Sequence, residues 1–79
     1  MDKMVWVKWI DSGGTSRWID LPAAEKDEYC LVETVGYLVK EDDERITVAQ
    51  SFDKANNTVN ALLTVPKVAV QEVKFLRFK

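Results

Sequence analysis

The densest ionisable group in this chain is the run Glu41-Asp42-Asp43-Glu44. Four carboxylates are the raw material of a cation site. Calcium loops, however, space their oxygens at alternate positions and turn the chain at a glycine, and this run does neither. A solvated hairpin tip that keeps the flanking strands from pairing edge to edge is the expectation. The second candidate is the stretch Ser12-Gly13-Gly14-Thr15-Ser16-Arg17. Main-chain N–H groups around two glycines can cradle a small anion, with Ser12, Thr15, Ser16 and Arg17 supplying side chains. The lysine and following helix of a phosphate-binding P-loop are missing, and a flexible hairpin turn explains the same residues.

Three tryptophans form the third group. Trp6 and Trp9 differ in parity, so a regular strand sends them to opposite faces. One is expected in the core and the other outward. An outward Trp6, Trp9 or Trp18 could stack a base, take a proline-rich peptide or lie in a subunit interface. The tail Lys74-Phe75-Leu76-Arg77-Phe78-Lys79 interleaves cations with apolar residues. Together with Arg45, its Lys74 and Arg77 are the candidate nucleic-acid contacts, although a period-two terminal strand accounts for the same pattern. Cys30 has no histidine or second thiol to activate it and is expected to be a small buried residue. Nothing in the spacing marks a catalytic pair, a metal set or a cofactor motif, so no enzyme, no metal and no cofactor are expected.

The elements that must hold these groups fit one domain over residues 1–79. A chain of this size buries only about 60% of its unfolded surface, so small domains lean on disulfides, metals or self-association. A single cysteine and no histidine leave self-association as the expected route. The net charge of −2, from 11 basic and 13 acidic residues, is unlike that of a duplex-binding protein. No apolar run approaches the roughly 18 residues of a membrane span, and Met1–Trp9 lacks the plain apolar core of a signal peptide. A cytoplasmic protein without a membrane partner is expected.

Period-two patterns predict strands over 4–11, 29–41, 45–52, 58–65 and 70–78. Residues 17–21 read as a short strand or extended arm. Residues 22–28 read as one or two helical turns opened by Pro22, with Asp20 accepting from exposed N–H groups. In the long second strand both faces are partly apolar, so a bend is expected with Gly36 as its bulge or close-approach point. Ile46, Val48 and Phe52 should point inward, with Arg45, Thr47 and Ser51 outward. Asn56 and Asn57 suit the left-handed conformation in a hairpin loop. Pro66 cannot donate to a ladder, so a strand should end there and a 3₁₀ turn at 66–69 should lead into the last strand. This order is the ground plan of a mostly β, five-stranded SH3-like or Sm-like barrel.

The segments Thr34–Ser51, TVGYLVKEDDERITVAQS, and Leu62–Leu76, LLTVPKVAVQEVKFL, resemble a group of small bacteriophage proteins. Their pattern is an apolar strand ending in Gly-aromatic-Leu, an acidic turn, a "VAQS"-like strand, and "IPK" before a final apolar segment. Their early Trp-x-Asp is echoed at 9–11 and 18–20. The resemblance implies an Sm-like or SH3-like barrel, and host cytoplasm as the compartment, and brings no active site. The classical Sm signature, with its RNA-contacting asparagine and glycine, has no counterpart here. The expected function is a non-catalytic, self-associating module that binds a host protein or small anionic ligand. The alternatives are a single-stranded nucleic-acid or RNA binder and an oligomer that sequesters a nucleotide signal.

Overall fold

The computed structural model describes residues 3–12 and 17–77. Five strands form one antiparallel sheet: β1 (Met4–Asp11), β2 (Cys30–Glu41), β3 (Arg45–Asp53), β4 (Thr58–Pro66) and β5 (Val70–Leu76). Their order across the sheet is β4-β3-β2-β1-β5. A single helical turn, α1 (Leu21–Ala24), interrupts the excursion from β1 to β2, and a 3₁₀ turn over Lys67–Ala69 links β4 to β5. Pro66 closes β4 in an extended conformation at φ −61° and ψ 138° and caps that 3₁₀ turn. A residue without an N–H costs nothing at the end of an edge strand.

Alternation along the strands builds one apolar face. Val5, Val7, Ile46, Val48 and Val65 are buried together, with Trp9, Leu38, Leu63, Ala69, Val70 and Val73 packed around them. Asn57 takes a positive φ of 53° in the β3–β4 hairpin, as its side chain permits. Several local expectations are corrected. Of the two readings of residues 17–21, the strand does not form, and Asp20 is extended. The helix is a single turn, within the one or two expected, but it starts at Leu21 and ends at Ala24, and Asp20 makes no side-chain cap. Thr47 does point away from the core, alternating with Ile46 and Val48, but it is buried on that outer face, where its hydroxyl meets that of Thr64 at 2.8 Å across the β3–β4 pair. Cys30 is exposed: it opens β2 opposite Asp11, the last residue of β1.

The expected closure into a barrel is not seen, since β4 and β5 remain separate edges. Instead the sheet forks. From Tyr37 to Glu41, β2 pairs with β3, with a bulge between Leu38 and Lys40. Residues 30–36 pair with β1 alone, and residues 51–53 with β4 alone. Gly36 sits at the crotch. A Cβ built there would stand 2.7 Å from the Ala49 carbonyl oxygen and 3.2 Å from the Val48 Cβ, so only glycine lets the two strands meet this closely. Beyond it the β3–β4 ladder skips Gln50 and Ala61, and Ala61 adopts a positive φ of 53°. The result is elongated: the radius of gyration is 16.0 Å, against roughly 12 Å for a compact chain of this length.

Candidate functional site

The first two tryptophans leave β1 on opposite faces, and neighbouring residues of β2 hold them. Trp9 packs against the core and its indole N–H donates to the Thr34 hydroxyl at 3.0 Å. Trp6 lies on the other face and donates to Glu33 Oε1 at 3.0 Å. The Lys74 ammonium sits over the Trp6 ring, 5.3 Å from its centroid, and also 3.4 Å from Glu72 Oε2. One face of the Trp6 ring is therefore covered by a cation. Trp18 is different, being fully exposed just before α1, where Leu21 is exposed as well.

Cross-strand register places a row of apolar residues on the face that carries Trp6. Leu76, Met4, Tyr37, Ala49 and Leu62 stand opposite one another in β5, β1, β2, β3 and β4. Tyr37 also meets Phe52 edge to face at 5.9 Å between centroids, while Leu62 and Leu76 remain exposed. An apolar row across a whole sheet, opposite the core, offers contact area rather than chemistry.

Where the sheet forks, a cleft of about 360 Å³ opens between β2 and the β3–β4 hairpin. Glu33, Thr34 and Val35 line one wall and Gln50, Ala61 and Leu63 the other, with Val48 and Ala49 at its base. Pockets of this size accept small ligands or an extended peptide side chain. None of these residues stood out in the sequence as a site. The signals were Gly36, which marks the crotch, and the distance to which β2 and β3 stay paired, which local pattern does not encode.

The acidic run behaves as a turn. Asp42 Oδ1 accepts from the main-chain N–H groups of Glu44 at 2.9 Å and Arg45 at 3.0 Å. The Glu44 N–H is the main cause holding the Asp42 carboxyl below its ordinary value, helped by the Arg45 N–H and the charges of Arg45 and Lys40. Asp53 does the same in the next hairpin, where the Asn56 side-chain amide is the chief cause of its lowered pKa. Lys67 Nζ bonds Glu41 Oε2 at 2.6 Å, tying the 3₁₀ turn to the acidic turn. Among the described residues no cluster of three or more histidine, cysteine, aspartate or glutamate side chains is arranged to hold a metal ion.

The candidate site residues are not gathered into one place. Thr15 and Ser16 lie outside the described residues, as do both glycines of that stretch. Ser12 turns its N–H to Asp11 Oδ1 at 2.9 Å, and Arg17 is exposed. Arg45 is engaged by Glu44 at 3.0 Å and Asp42 at 3.8 Å. It starts β3, whereas Lys74 lies in β5 and Arg77 just beyond, with β2 and β1 in between. Arg45 and Lys74 therefore belong to separate ion-paired groups. No helix among the described residues is long and apolar enough to cross a membrane. No family model, curated protein or solved structure matches the chain.

Proposed function

We propose that this protein is a non-catalytic, phage-type binding module on an Sm-like or SH3-like scaffold, and that it works as a homo-oligomer presenting a site for a host protein or small ligand. The observation that carries the reading is surface. The chain exposes 6382 Å², whereas a folded monomer of 9.1 kDa exposes about 4,900 Å². The excess, roughly 1,500 Å² per chain or about 3,000 Å² for a pair, is the scale of surface an obligate assembly removes from water. Trp18, Leu62, Val68 and Phe75 are among the large apolar side chains that make it up. The strand order, with its 3₁₀ link before the last strand, supports the scaffold reading, with the sheet left open between β4 and β5. The cleft at the fork supports ligand binding, since it joins apolar walls to the polar groups of Glu33, Thr34 and Gln50.

Sedimentation velocity and native mass spectrometry from 1 to about 100 µM test the assembly. Dimers or larger species are expected, and a strict monomer throughout that range refutes self-association. Denaturing the protein purified from its native host and identifying what is released tests the ligand half.

A further inference from the structure

The sheet's main-chain bonding shows which edge a second copy can extend. The Leu38 N–H donates to the Lys3 carbonyl at 2.8 Å. Antiparallel bonding alternates along a strand, so Lys3, Val5 and Val7 direct their main-chain groups to β2, and Met4, Trp6 and Lys8 direct theirs to β5. Their partners Leu76, Lys74 and Glu72 are therefore bonded inward. Val73 and Phe75 aim their N–H and C=O groups out of the sheet.

We propose that two copies of this chain pair their β5 strands antiparallel about a two-fold axis at Val73, joining two five-stranded sheets into one of ten; this rests on the self-association reading above. The register follows from the residues. Val73 meets Val73 of the other copy as a hydrogen-bonded pair, which its outward groups require. Glu72 then meets Lys74 of the other copy, and Lys74 meets Glu72, both as non-hydrogen-bonded pairs, the kind that brings side chains closest. Opposite charges in that position are favourable. On the core side Phe75, 53% exposed in one chain, gains the second Val73 as its diagonal neighbour.

The other edges fit a symmetric partner less well. In β2 the free main-chain groups belong to Leu31, Glu33 and Val35 by the same alternation, and a two-fold using all three sets Glu33 against Glu33, a destabilising pair. In β4 the edge carries Pro66, which has no donor, and the left-handed Ala61, both of which blunt strand addition. Of these edges, only β5 combines a stretch paired without a bulge, Glu72–Leu76, with no proline and charges that complement themselves.

Charge reversal tests the register. Lys74→Glu sets glutamate against glutamate in both close pairs, and Glu72→Lys sets lysine against lysine. Each is expected to weaken the dimer by about tenfold or more in sedimentation equilibrium, with circular dichroism confirming the fold. The double swap Glu72→Lys/Lys74→Glu is expected to recover most of that loss. Amide exchange on the unaltered protein gives a second readout: Val73 and Phe75 N–H groups should be protected in concentrated samples and exchange fast on dilution. If the protein assembles while both reversals leave affinity unchanged, or while those amides stay unprotected, the β5 pairing is overturned and self-association stands. If it is monomeric, both fall. If a variant unfolds, amide exchange alone decides.

Discussion

Replacing Gly36 with alanine gives opposite outcomes for an open and a closed crotch between β2 and β3. Gly36 has no positive φ to forbid a side chain, so the question is purely one of space. In open space Gly→Ala in a strand interior stabilises by about 0.5–1 kcal/mol, because the unfolded chain loses freedom. Here the new methyl lies 2.7 Å from a carbonyl oxygen of main chain and 3.2 Å from the Cβ of buried Val48, and neither can swing aside. Overpacking of this kind costs about 1–3 kcal/mol. The net expectation is a loss of roughly 1–2 kcal/mol, which for a domain this size lowers Tm by about 5–15 °C. Thermal and urea denaturation followed by circular dichroism measure it at fixed protein concentration. A Tm equal to or above that of the unaltered protein would show that the strands do not meet at Gly36, and the forked sheet would have to be redrawn.

Three further outcomes are expected. Ile46→Ala removes one of the largest fully buried side chains and should cost about 2–5 kcal/mol, read from the urea midpoint. The threonine pair should respond asymmetrically: Thr64→Val strands the buried Thr47 hydroxyl and costs about 1–2 kcal/mol, whereas Thr47→Val leaves only the exposed Thr64 hydroxyl, which water can satisfy, and is near neutral. The lowered pKa of Asp42 lies below its ordinary 3.8, so its contribution is fully present above that value and is lost as pH falls through the folded-state value. Asp42→Asn keeps an oxygen acceptor for the turn without a titrating carboxyl, so its urea midpoint should fall less steeply with acid below about pH 4.

Much of this architecture was readable from local pattern. Period-two alternation placed β1 over 4–11 and came within two residues of both ends of β2, β3 and β4, because each strand buries one face and a slip by one residue would expose it. Parity separated Trp6 from Trp9, and Pro66 marked a real corner. What escaped was non-local. Whether Thr47 is wet or dry depends on Thr64, seventeen positions away. The exposure of Cys30 depends on β1 ending opposite it. The cleft exists because β2 and β3 stop pairing at Tyr37 and Ala49, a choice made by tertiary packing around Gly36. The candidate residues that were singled out by type scattered, whereas those lining the cleft are ordinary strand residues with no chemical signature.

The β1–β5 ladder joins partners more than sixty positions apart along the chain, while β2, β3 and β4 follow one another through short hairpins. Bringing such distant segments together costs roughly 4 kcal/mol in chain entropy before any bond repays it. Folding should therefore zip the central meander early and seat β5 late, and opening should start from the same side. Trp6 reports that last step, because Lys74 reaches its ring only when β5 is home.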